Sequence, residues 1–72
     1  MLASNGLQAG GLTPREVDVL KLLADGTDTP HIAQVLSYSE RTIKKIIQDM
    51  LTRLNLHNRA HAVSYALRVG AI

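Results

Sequence analysis

The segment Ser37-Tyr38-Ser39 interrupts two helical patterns for only three residues, and this brevity constrains the fold more than any other feature of the chain. Before it, Ile32, Ala33, Val35 and Leu36 supply the apolar side of a short helix, which Asp28 or Thr29 can cap and whose first turn tolerates Pro30. After it, Ser39 can cap a helix running to about Leu54 or Asn55. In that helix Ile43, Ile47, Met50, Leu51 and Leu54 recur at spacings of three and four, so they form one stripe. Two helices joined so briefly must turn sharply against each other, which is helix-turn-helix geometry.

The flanking segments add two more helices. Thr13-Pro14-Arg15-Glu16 combines a capping hydroxyl, Pro at the first helical position and Glu three residues on, the pattern of a capping box. Val17, Val19, Leu20, Leu22, Leu23 and Ala24 follow as a broad apolar face, and Gly26 can end the helix in the left-handed conformation. Beyond a turn at Asn55-Leu56-His57-Asn58, Asn58 can cap a last helix through about Val69, with Ala62, Val63, Ala66 and Leu67 inward and Gly70 at its end. The expected fold is therefore all-α: a four-helix domain over residues 12–72 that contains a helix-turn-helix, with the third helix as its reading element. Residues 1–11, MLASNGLQAGG, show no period and suggest a flexible tail or interdomain linker.

With 72 residues the chain makes one domain, which buries only roughly 60% of its unfolded surface. The absence of cysteine excludes a disulfide framework and thiolate zinc sites and points to a reducing compartment. No apolar run approaches the roughly 20 residues of a membrane span, and no signal-peptide pattern opens the chain, so a cytoplasmic location is expected and no membrane partner. His31, His57 and His61 lack cysteine partners, and no glycine-rich phosphate loop or nucleophile–base pair stands out, so neither an enzyme, a metal site nor a cofactor is expected.

Charge is divided unevenly. Residues 1–38 carry Arg15 and Lys21 against Glu16, Asp18, Asp25 and Asp28, a net of −2, while residues 39–72 carry Arg41, Lys44, Lys45, Arg53, Arg59 and Arg68 against Glu40 and Asp49, a net of +4. A solvated surface can show the same bias, but here the basic residues gather on one helix side. Lys45 lies opposite the apolar stripe, flanked by Arg41, Gln48 and Thr52. Arg and Lys donate to guanine O6 and N7, and Gln pairs with adenine N6 and N7, so this face suits the major groove of double-stranded DNA. Lys44 on the flank suits phosphate, as do Thr42 and the N-terminal N–H groups of the second and third helices.

Leu12-Thr13-x-Arg15-Glu16, Val19-Leu20-x-x-Leu23-Ala24-x-Gly26, Ile32-Ala33-x-x-Leu36, Ser39-x-x-Thr42-Ile43-Lys44, Leu54 and Arg59-x-x-Ala62-Val63 together resemble the LuxR-type DNA-binding domain. The resemblance runs from residue 12 to about residue 69 without a gap. The family includes output domains of response regulators and quorum-sensing receptors and a few free-standing regulators. The resemblance implies a transcription regulator whose third helix enters the major groove, with Lys44, Lys45 and Gln48 near bases or phosphates. It also implies a homodimer through the last helix, whose outer side would offer His61, Tyr65, Arg68 and Val69; RNA polymerase is a further expected partner.

The chain departs from the family pattern at four places. Thr29-Pro30-His31 stands where Asn-Lys-Glu is usual, at a phosphate-facing helix start, and Ile46 replaces a His and widens the apolar stripe. Tyr38 replaces an aliphatic residue, so its hydroxyl must reach water or a phosphate. Asp49 sits near the DNA-facing side, where it would repel phosphate. The rival reading is a helical interaction module that docks a polymerase subunit or regulator without binding DNA; salt dependence separates the two.

Overall fold

A computed structural model describes residues 9–72. Among these residues lie four α-helices and no strand: α1 Pro14–Ala24, α2 Thr29–Leu36, α3 Glu40–Arg53 and α4 Arg59–Arg68. A short 3-10 turn, Ala9–Gly11, precedes them.

Local chemistry accounts for every helix boundary. The Glu16 N–H donates to Thr13 Oγ1 (3.2 Å) while the Thr13 N–H donates to Glu16 Oε1 (2.9 Å), a complete capping box. Asp28, Ser39 and Asn58 cap the other three helices by accepting from the N–H groups of His31, Thr42 and His61. All four helices end alike, with a left-handed residue closing the last turn. Behind α1 this is Gly26, with Gly26 N–H to Leu23 O and Thr27 N–H to Leu22 O. Behind α2 it is Ser37 (φ 60°), with Ser37 N–H to Gln34 O (3.3 Å) and Tyr38 N–H to Ala33 O (2.9 Å). Asn55 and Gly70 repeat the motif behind α3 and α4. The three-residue break is thus a helix stop followed immediately by a helix start, and the chain has no slack in which to relax the turn.

The core has two parts that share α1. Val19 packs with Ile32, Ala33, Ile43, Ile46 and Ile47, which joins α1 to α2 and α3. Val17 and Leu20 pack with Leu12, Met50, Ala62 and Ala66, which joins α1 to the second half of α3 and to α4. Leu23 and Leu51 touch both parts and make them continuous. Each fully buried aliphatic side chain contributes about 1.5–3 kcal/mol relative to exposure. Buried Ile46 does widen the stripe of α3.

Three expectations about helix faces need correction. Val35 was expected on the buried side of α2 but is 63% exposed, because Ile32 and Ala33 already fill the contact with α3. Leu67 was expected inward on α4 but is 59% exposed; Ala62 and Ala66 occupy the inner line there. Tyr65 and Val69, expected on the outer side, are half-buried. Their neighbour is the Ala9–Gly11 turn: the Tyr65 hydroxyl donates to Gly10 O, and a Cβ on Gly10 would fall 2.7 Å from Val69 Cγ2. With φ at 73° as well, position 10 accepts only glycine without strain. Of the segment expected to form a tail, residues 1–8 lie outside the described residues, and 9–11 are bound to α3 and α4.

Candidate nucleic-acid interface

The buried stripe of α3 fixes what its other side presents. Ile43, Ile46, Ile47 and Met50 point into the core, so Arg41, Lys44, Lys45 and Gln48 stand together in solvent with Glu40, Asp49 and Thr52. Four of the five residues of this helix expected to meet DNA therefore share one exposed side, and the fifth, Thr42, is partly buried. Two of them are held in ion pairs along the helix: Lys44 Nζ with Glu40 Oε2 and Lys45 Nζ with Asp49 Oδ2, each at 3.3 Å. Gln48 Nε2 donates weakly to Thr52 Oγ1 (3.3 Å). Such exposed pairs are worth roughly 0.3–0.5 kcal/mol each, so they hold these side chains only weakly.

Thr42 is partly buried, and its hydroxyl accepts from Ser39 Oγ (2.9 Å), which strengthens the cap of α3. Tyr38 lies exposed at the helix-turn-helix corner. The Arg15 guanidinium stacks over its ring, 5.6 Å from the centroid. Arg15 thereby joins the edge of the α3 face, a position that composition alone did not single out. It also lines an open groove of about 360 Å³ with Thr13, Glu16, Thr42, Lys45, Ile46, Asp49 and Arg53. Thr29 does not join this surface. Its side chain is buried, and its hydroxyl accepts from Arg59 Nη1 (3.0 Å), so it is spent on tying α2 to α4. His31 closes over the start of α2 instead, donating its backbone N–H to Asp28 Oδ1 (3.0 Å) with its ring Nδ1 2.7 Å from the same oxygen. Those two contacts, the backbone one first, lower the Asp28 carboxyl below its ordinary value.

The groove is anchored by a pair that local sequence patterns do not reveal. Arg53 Nη1 donates to Glu16 Oε2 (2.8 Å) and Nη2 to Glu16 Oε1 (2.6 Å), and Nη2 also reaches Gly11 O (3.1 Å). Burial works against ionisation of Glu16, but the Arg53 fork and the Thr13 N–H outweigh it and hold the carboxyl below its usual value. The same hydrogen bonds raise Arg53 further. The acid of the capping box is therefore also the acid that fixes the end of α3 against the start of α1.

On α4, His61 is half-buried, and its Nδ1 accepts from the His57 N–H (3.0 Å). Arg68 is exposed and donates weakly to Ser64 Oγ (3.3 Å). Of the four residues expected to form an outer contact strip, Arg68 alone is fully exposed. The open side of the helix is instead Ala60, Ser64, Leu67 and Arg68. Among the described residues no cluster of three or more His, Asp or Glu side chains forms a metal site, and no helix is long and apolar enough to cross a membrane.

Four capped helices with a Schellman-type corner, a split aliphatic core and a basic outer face on the third helix define a helix-turn-helix domain of the non-enzymatic, DNA-binding class. The family described as bacterial regulatory proteins, luxR family, matches residues 11–66, and the chain belongs to it. It is 43% identical over 61 residues to the HTH-type quorum sensing-dependent transcriptional regulator VjbR of Brucella abortus, covering 85% of this chain and 24% of that protein. The transcriptional regulatory protein DesR of Bacillus subtilis is 40% identical over 63 residues, 88% of this chain and 32% of DesR. The nitrate/nitrite response regulator protein NarP of Escherichia coli is 47% identical over 51 residues, 71% of this chain and 24% of NarP. The chain thus spans about a quarter to a third of the length of these relatives. No solved structure shows significant similarity to it.

Proposed function

We propose that this domain binds double-stranded DNA sequence-specifically as the output unit of a transcription regulator working in the cytoplasm, with α3 in the major groove. The observation that carries this reading is the division of α3: an unbroken buried stripe on one side and Arg41, Lys44, Lys45 and Gln48 on the other. Lys45 and Gln48 face base edges, with Arg41 beside them, while Lys44 and Thr42 lie toward phosphate. Arg15 and Tyr38 extend the phosphate-facing edge at the corner. Thr29 supports this surface from within through Arg59 rather than by touching DNA.

Two copies bind together, one per half-site, through the outer side of α4. Leu67 is the apolar centre of that strip, with Ala60, Ser64 and Arg68 around it and His61 at its margin. Tyr65 and Val69 act from behind, holding the preceding turn. The related proteins named above include a quorum sensing-dependent regulator and a nitrate/nitrite response regulator, so the part they share with this chain is the output step rather than the signal. Contact with RNA polymerase belongs to the same reading.

A footprint on the promoter beside the gene, repeated at two salt concentrations, tests it. The expected result is protection of paired half-sites about 10–10.5 bp apart, or a multiple of that spacing, fading steeply with salt. Absence of protection at low salt would contradict it.

A further inference from the structure

Two lysines of α3 carry carboxylate partners, and only one of the pairs is explained by helix chemistry. Glu40 precedes Lys44 by four residues and lies in the first turn, the favoured order and the favoured end for an anion. Lys45 and Asp49 run in the opposite order, cation first, with the carboxylate in the C-terminal half of the helix, the arrangement that gives a helix least. Asp49 also stands on the face that would approach a polyanion, and its side chain is 60% exposed. The other cation within its reach, Arg53, has its Nη atoms engaged by Glu16 and Gly11 O, so Lys45 is the partner of Asp49.

An ionised carboxylate only accepts hydrogen bonds. In the major groove it is repelled by phosphate and by the O6, N7 and O4 acceptors, and it finds a donor on cytosine N4 or adenine N6. Adenine places N7 on one side of that donor, and thymine O4 lies on the other. A cytosine–guanine pair instead presents N4 as a donor beside the guanine acceptors O6 and N7. The Lys45 Nζ and Asp49 Oδ2 atoms, 3.3 Å apart, present a donor and an acceptor on the same scale as that edge.

We propose that Lys45 and Asp49 read one cytosine–guanine pair as a unit, Lys45 donating to guanine O6 or N7 and Asp49 accepting from cytosine N4. This rests on the reading that α3 enters the major groove. Asp49 then acts as a specificity residue: it penalises most the pairs that set an acceptor against it, and less strongly an adenine–thymine pair, whose N6 donor lies between two acceptors, and it weakens binding to random DNA. The Lys45–Asp49 pair in the free protein keeps both groups partnered until the matching edge replaces the pairing.

Selection from a randomised duplex library, with the chain and its Asp49→Ala, Asp49→Asn and Lys45→Ala variants, tests this. The parent enriches a site with a fixed C·G pair at one position of each half-site. Asp49→Ala loses roughly 5- to 150-fold discrimination at that position and binds random duplex at least as tightly as the parent. Asp49→Asn moves the preference toward adenine, which an amide pairs through N6 and N7. Lys45→Ala relaxes the same position. An unchanged C·G preference in the Asp49 variants, relaxation of different positions by the Lys45 and Asp49 changes, or uniform weakening on all sequences would overturn the proposal while leaving DNA binding intact. Enrichment of no sequence by the parent would bring down the groove reading and this inference together.

Discussion

Arg53, in the last turn of α3, grips both carboxylate oxygens of Glu16, in the first turn of α1, across 37 positions of sequence. The contact joins the capping box to the far end of the helix that carries the basic face. It fixes how that helix sits on the rest of the domain.

Arg53→Ala should therefore cost about 2 kcal/mol of stability, the scale of hydrogen bonds to a charged group. The figure stays below the 3–5 kcal/mol of a fully buried pair because the Arg53 side chain is 43% exposed, although that of Glu16 is only 6% exposed. Arg53→Lys keeps the charge but not the fork, and should recover only part of the loss. Urea unfolding of the three proteins measures both effects.

The same pair sets a pH dependence. Glu16 titrates below its unfolded value, so its contribution is complete above the ordinary carboxylate range, near pH 4–5. The contribution is lost as pH falls through the lower folded value. Melting temperatures taken from pH 6 down to pH 3 should fall for the parent and fall less steeply for Glu16→Gln. A residual slope is expected, because Asp28 is lowered as well.

Ile47 is buried among Val19, Ile32 and Ile43. Ile47→Ala should cost about 2–5 kcal/mol, a large share of the stability of so small a domain. Val35→Ser, on an exposed site of α2, should stay within about 0.5 kcal/mol. Parallel melting curves distinguish the two positions; a small effect at Ile47 would contradict the assigned face of α3.

Leu67→Glu places charge at the centre of the outer strip of α4 without touching the core. Its melting temperature should match that of the parent, while cooperative occupation of two half-sites is lost and binding to one half-site remains. Mobility-shift titrations on one-site and two-site duplexes read this directly.

Much of the fold was legible because helix caps and stops are written within three to five residues. Thr13 with Glu16, Ser39 and Asn58 name their own helix starts, and the apolar spacing of α3 fixes which of its sides faces solvent. The sharp turn follows from the brevity of the break, whereas the left-handed Ser37 that makes it was not legible. What was not legible depends on partners far along the chain. Tyr65 meets Gly10 across 55 positions, Arg59 meets Thr29 across 30, and Arg53 meets Glu16 across 37. On α4 the hydrophobic pattern is nearly continuous from Ala60 to Leu67, so periodicity alone did not decide which side faces inward. The small side chains of Ala62 and Ala66, buried where α4 packs with α1 and α3, settle it. The expected base-facing set Arg41, Lys45 and Gln48 shares one face, whereas Thr29, Tyr65 and Val69 were drawn into packing that no local signal announces.

Whether the outer face of α3 reads DNA is decided by a salt titration of duplex binding by the parent, Lys44→Ala and Lys45→Ala. For the parent, log K should fall linearly with log salt, with a slope of about −0.9 per phosphate neutralised. Lys44→Ala should weaken all sequences about equally and flatten the slope by roughly one. Lys45→Ala should cost about 1–3 kcal/mol on the footprinted site and far less on random duplex. Binding that is insensitive to salt, or equal affinities for that site with and without Lys45, would mean that this face does not read DNA.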